Sequence, residues 1–239
     1  MTVERIEIDT EEGRCPARLV RGGSRAVILY MDAFGLRPAL DDMAERLSGM
    51  GCTVLVPDLF YRFGAYGPYD ARTAFANDTT RDELRAMMGA TTHAMTVADT
   101  ASFLRALEEA GARGPVGVVG YCMGGARAIH ALAAYPDRIK VAASFHGGNL
   151  ASDAPDSPHR VAGSIRGRVY FGVAGVDRSF PPEQSAELAR AFREAEVDHI
   201  VENYVGMAHG WCVPDHAVFS IDGAERHWSR LEMLFSETL

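Results

Sequence analysis

Along most of the chain, short unbroken apolar runs alternate with longer stretches in which apolar positions recur every three or four residues. The segment "RIEIDT" (5–10) alternates apolar and polar residues, and predicts an edge strand. "CPARLVRG" (15–22) predicts a second strand. "RAVILYMD" (25–32), "CTVLVPDLF" (52–60) and "GPVGVVGYC" (114–122) are continuous apolar runs of strand length, the mark of strands buried on both faces. "KVAASFHGG" (140–148), "GRVYFGVAGVD" (167–177) and "DHIVENYV" (198–205) add three more strands. Helices are predicted between them, at 38–51, 91–111, 123–136, 181–196 and 215–236. The first has Pro38 near its first turn and Gly49 and Gly51 at its end. Residues 61–90 break the alternation. They are rich in Gly, Tyr, Arg and Met, and predict a loop with short helices over one end of the sheet.

This alternation predicts an α/β fold, with a mostly parallel central sheet and helices on both faces. No repeat, low-complexity tract or linker interrupts it, so residues 1–239 are expected to form one domain. In such sheets ligands sit beyond the carboxyl ends of the strands, which directs attention to residues just after them. The apolar fraction is 47%, enough for a sizeable core. The formal charge of −8 argues against nucleic acid or an anionic membrane as partner, since both call for a basic face. The segment "MTVERIEIDTEEGR" has no signal-peptide core, and no apolar run approaches the roughly 18 residues of a membrane span. The four cysteines (Cys15, Cys52, Cys122 and Cys212) are scattered without a C-x-x-C pair. The expectation is a cytoplasmic protein with free thiols and no metal site.

Asp32, Cys122, Asp177 and His209 fall at or just after predicted strand ends. Cys122 lies in "GYCMG", a G-x-C-x-G version of the strained strand-to-helix elbow usually written with serine. The glycines allow an unfavourable backbone conformation at the nucleophile and a close approach of strand and helix. The N-terminus of the following helix favours a thiolate. A thiol needs a base, and His209 in "GMAHGW" follows the last strand between Gly206 and Gly210. His146 in "SFHGG" also follows a strand, but reads better as a pocket-lining or hydrogen-bonding histidine. The other histidines, His93 and His216 among them, fall in or beside helices or on exposed faces. Asp177 follows the strand between Cys122 and His209 and is the candidate to orient the imidazole. The order Cys–Asp–His is that of α/β-hydrolases. Asp58 precedes the thiol and reads as a turn residue. For an oxyanion hole, the backbone N–H groups of Met123, after the nucleophile, and Ala33, in "MDAFG", are the candidate donors.

Together, "MDAFG", "GYCMGG", "GVD" and "AHGW" make the chain resemble the dienelactone hydrolase family, the carboxymethylenebutenolidases, over nearly its whole length. The resemblance implies a single α/β-hydrolase domain without a large cap, no metal and no cofactor. It also implies a Cys122–Asp177–His209 triad that opens lactones or cleaves small esters through a thioester acyl-enzyme. An acidic residue that modulates the resting thiol matches Asp32, one methylene shorter than the family's Glu. Of the two arginines that hold a substrate carboxylate in dienelactone-specific members, one position is Val213 here; Arg81 or Arg85 is the candidate for the other. Neutral esters or lactones are therefore the expected substrates. Trp211, Val213, Phe60, Tyr61, Phe63, Tyr66 and Tyr69 are candidates to line an apolar pocket. The same triad would serve an acyltransferase or a thioesterase, and a non-catalytic binding protein is the reading from a different class. The expected state is a monomer or small homo-oligomer.

Overall fold

The apolar runs become the interior of one eight-stranded sheet in the computed structural model, which describes residues 2–239. In chain order the elements are β1 (Val3–Thr10), β2 (Gly13–Val20), β3 (Arg25–Tyr30), α1 (Pro38–Gly49), β4 (Cys52–Pro57), α2 (Asp78–Ala90) and α3 (His93–Glu109). They continue with β5 (Val116–Tyr121), α4 (Met123–Ala134), β6 (Ile139–Phe145), β7 (Arg168–Val176), α5 (Pro182–Glu194), β8 (His199–Ala208) and α6 (Ile221–Thr238). The strand order is β1-β2-β4-β3-β5-β6-β7-β8. The β1–β2 and β2–β4 pairs are antiparallel and the remaining five are parallel, so the mostly parallel sheet is as expected.

Every residue of β4 and β5 is buried, as strands covered on both faces must be. From β3 the chain crosses through α1 to β4 on one side. From β5 it crosses through α4 to β6 on the other. Right-handed crossovers in opposite directions put α1 and α4 on opposite faces. On the α1 side, Arg46 pairs with Glu225 of α6 and lies over the Trp228 ring. On the other face α3 packs against α4. The winding reverses between β3 and β5, so their carboxyl ends open the crevice in which ligands sit in such sheets. Asp32 and Cys122 stand at those two ends.

The region 61–90 departs from its prediction. It contains two three-residue 3-10 turns and then α2, a full helix of 13 residues. Only Leu84 and Met87 of α2 are buried, too few apolar positions to announce a helix by period. Its local signal is the cap: the Asn77 side chain accepts the Thr80 N–H at 3.0 Å. The last helix also starts later than the pattern implies. Residues 211–219 form turns, and Ser220 caps α6 by accepting the Gly223 N–H at 3.2 Å. No helix among the described residues is long and apolar enough to cross a membrane.

Candidate active site

Gly120 is the last residue but one of β5 and Gly124 lies in the first turn of α4, and their spacing is a packing requirement. A Cβ on Gly120 would lie 1.9 Å from the Gly124 carbonyl oxygen, and one on Gly124 would lie 2.3 Å from the Tyr30 oxygen. Between them Cys122 sits at φ 54° and ψ −120°, a conformation a side-chain-bearing residue holds only where its surroundings impose it. Its N–H is directed to the Phe145 carbonyl oxygen and to His146 Nδ1, both at 3.1 Å. The Cys122 side chain is thereby presented at the N-terminus of α4, where the helix dipole and unpaired N–H groups favour negative charge.

His209 reaches this thiol from the end of β8. Its Nδ1–H donates to Asp177 Oδ2 at 2.7 Å, and the Cys122 side chain is near enough to the same ring to shift its protonation. With Nδ1 on Asp177, Nε2 is the nitrogen left for the thiol. Burial works to lower the His209 pKa, but Cys122 and Asp177 outweigh it and raise the imidazole to about 10. Asp177 is fixed in turn by Ser179, whose N–H and Oγ–H both donate to Oδ1, at 2.8 and 2.7 Å. Burial would raise the Asp177 pKa; the bonds from His209 and Ser179 hold it below the ordinary carboxylate value instead. The three residues picked from strand ends are therefore brought together, with His209 bonded to Asp177 and acted on by the Cys122 side chain.

The Met123 and Ala33 N–H groups have no acceptor among the described residues, whereas the Phe34 N–H is spent on Asp32 Oδ1 at 3.1 Å. Asp32 itself is fully buried and points away from the role expected for it. Both oxygens are taken by Arg37, at 2.6 and 2.8 Å, and Oδ2 also meets His216 Nε2 at 3.1 Å. Burial opposes its ionisation, but His216 and Arg37 hold its carboxyl far below the usual range. Arg37 reaches on to Asp215 at 2.6 Å. Asp32 thus acts as the strut of the 32–37 loop that carries the Ala33 N–H. The sequence reading missed Arg37, Asp215 and His216 because the contacts join residues 178 and 184 positions apart.

A cavity of about 870 Å³ opens over Cys122. Phe34, Phe75, Met88, Met123, Ala126, Arg127, His209 and Val218 are among its lining residues. The proposed substrate contacts are elsewhere. Arg81 is tied to Asp78 and Asp82 on the outer side of α2, and Arg85 is exposed on the same helix; neither lines the cavity. Trp211 and Val213 are fully buried behind the site, with Trp211 packed on Tyr204 at 4.5 Å. Phe60, Phe63, Tyr66 and Tyr69 pack among themselves, Tyr61 is hydrogen-bonded to Thr10 and Asp99, and none of the five lines the cavity, so the aromatic wall comes from Phe34 and Phe75 instead. Asp58 is the turn residue expected of it, accepting the Phe60 N–H at 2.9 Å. His146 is buried at φ 40° and stands edge-on to His209 at 4.8 Å; burial and the neighbouring His209 keep its pKa low, so it is neutral. His93 and His216, read as lying away from the site, both line the cavity.

A parallel sheet reversing at β3/β5, with a thiol at the elbow after β5, defines an α/β-hydrolase. The sequence profile of the Dienelactone hydrolase family matches residues 17–239, and the chain belongs to that family. It is 25% identical over 223 residues to a Synechocystis protein named provisionally as a carboxymethylenebutenolidase, covering 89% of this chain and 86% of that one. Among solved structures it is similar to a Klebsiella pneumoniae protein named provisionally as a dienelactone hydrolase. That match has a TM-score of 0.86 at 20% identity, and covers 99% of this chain and 98% of the other. It is also similar to a dienelactone hydrolase-like promiscuous phosphotriesterase from metagenomic libraries, with a TM-score of 0.78 at 22% identity over 99% and 98% of the two chains.

Proposed function

We propose that this hydrolase cleaves small esters or lactones with Cys122 as nucleophile, through a thioester acyl-enzyme. The observation that carries the reading is His209, bonded through Nδ1 to Asp177 and raised in pKa by the neighbouring Cys122 side chain. The Cys122 sulfur, its proton on His209, attacks the carbonyl carbon and forms the C–S bond. The carbonyl π electrons move onto oxygen, which the N–H groups of Ala33 and Met123 receive. Collapse breaks the C–O bond, and the leaving oxygen takes the proton from His209 Nε2. In a lactone that oxygen stays tethered to the acyl group. A water then gives a proton to His209 and attacks the thioester, and the returning proton restores the thiol. Asp177 and Ser179 keep the ring in the tautomer that both half-reactions need.

Turnover of a panel of aryl esters and lactones tests this. Cys122→Ala is expected to abolish hydrolysis and His209→Ala to cost nearly as much, because the members of such a unit are strongly non-additive. Asp177→Asn is expected to cost orders of magnitude but less than either. Near wild-type turnover by Cys122→Ala on every substrate would remove the nucleophile assignment.

A further inference from the structure

Val176 is the last residue of β7 and Ala208 the last of β8. The two are paired across the sheet, one position before Asp177 and His209. Both line the cavity over Cys122, together with Ala217 and Val218 from the segment after β8. Val176 is 65% exposed and Val218 42%. Of the eight large apolar side chains exposed among the described residues, these two and Phe75 line this one cavity. Exposed apolar side chains scattered singly mean little, but three gathered on a cavity wall mark a surface that a ligand covers.

The polar side chains on this face are already committed. His216 Nε2 is bonded to Asp32 Oδ2 at 3.1 Å, Asp177 accepts from His209, and the Ser179 Oγ–H donates to Asp177 at 2.7 Å. Arg178 lines the same face and is exposed; such a side chain keeps its head in water while its methylene stem adds to an apolar wall. The opposite arm of the cavity, along α4, has another character. There Met123 and Ala126 give way to Arg127, Asp156 and Ser157. The Asp156 carbonyl oxygen accepts from the His130 Nε2–H at 3.0 Å, which places that polar end two turns along α4 from Cys122.

We propose that the face made by Val176, Ala208 and Val218 is a leaving-group subsite, and that the natural substrates are open-chain esters of apolar alcohols. The proposal rests on the cysteine-hydrolase reading and adds the substrate class to it. Besides the bond to sulfur, three directions leave the tetrahedral carbon. The oxyanion faces the N–H groups of Ala33 and Met123. The leaving oxygen faces His209 Nε2, because it takes that proton. The acyl chain is left with the third direction, along α4. A group carried on the leaving oxygen therefore starts beside His209 and lies against the two strand ends next to it. Each apolar carbon placed there removes the exposed valines from water as well as itself. A lactone does not use this face in the same way, since its leaving oxygen stays tethered to the acyl chain. Val213, from which neutral substrates were expected, is buried behind the site; the exposed valines carry the preference instead.

The test compares hexyl acetate with ethyl hexanoate, isomers that differ only in the side of the ester on which the long chain lies. Each kcat/KM is divided by the rate of the same ester with hydroxide, which removes intrinsic reactivity. Wild type is expected to favour hexyl acetate by about tenfold, the scale of burying part of four extra methylenes. Val176→Ser and Val218→Ser should each bring the ratio down towards unity. A merely structural role for the two valines would lower both rates together and leave the ratio fixed, which overturns the proposal. So does a wild-type ratio at or below unity, a result that needs no variant to fold. Equal turnover of the two isomers, lost in Cys122→Ala, would reject the subsite alone; absence of any Cys122-dependent turnover would reject the hydrolase reading with it.

Discussion

In the proposed mechanism the chemistry turns on His209, and its protonation is set by Cys122 and Asp177. An ordinary histidine titrates near 6.5; this one is held at about 10, with Cys122 the larger of the raising influences and Asp177 beside it. A folded-state pKa above the unfolded value means that the folded chain binds the proton more tightly. The resulting stabilisation is fully present below pH 6.5 and is lost as pH rises towards 10. Removing the thiol in Cys122→Ala should therefore lower the His209 pKa. Following the His209 ring resonances against pH by NMR in both proteins checks this; an unshifted midpoint would mean that Cys122 does not act on the imidazole. Cys122, Asp177 and His209 were legible in the sequence because each follows a strand and carries a local signature. Asp32 was legible as a position but not as a role. Its carboxylate is claimed by Arg37 and His216, one five residues away and the other 184, and no local pattern records the second.

At the scale of elements, the β5–α4 elbow explains why the thiol stands where it does. Gly124 lies against the end of β3, where a Cβ would meet the Tyr30 and Met31 carbonyl oxygens at 2.3 and 2.5 Å. Backbone atoms cannot swing aside as a side chain would. Gly124→Ala should therefore force α4 and the β3 end apart, costing about 1–3 kcal/mol, and should slow turnover by displacing the Met123 and Ala33 N–H groups relative to each other. Gly89→Ala in α2 is the contrast, since its Cβ would meet nothing within 4 Å; it should be neutral or slightly stabilising, by up to about 1 kcal/mol. Urea unfolding of the two variants reads this directly, and equal stabilities would contradict the packing account. The buried strands were legible because an unbroken apolar run of six residues has few other fates. The α2 helix was not, since it lies on the surface and buries only two side chains.

At the scale of the whole molecule, the reversal of winding between β3 and β5 opens the crevice, and the long connections furnish it. The β4–β5 connection brings Phe75, Met88 and His93 to the cavity, and the segment after β8 brings His209 and His216. Such convergence is a property of topology. Arg127 and His93 are 34 residues apart, and neither has a sequence context that announces the other. The pocket walls were accordingly misread from the sequence, while the pairing of His209 with Asp177 was anticipated from their places after strands. The claim that ties these scales together is that the acyl group passes through the Cys122 sulfur. The most direct measurement is intact-protein and peptide mass spectrometry of the enzyme acid-quenched within its first turnovers on a 4-nitrophenyl ester. The account predicts a single acyl adduct on the peptide bearing Cys122, labile to hydroxylamine and absent from Cys122→Ala. An adduct on any other residue, or ester turnover by Cys122→Ala at the wild-type rate, would contradict it.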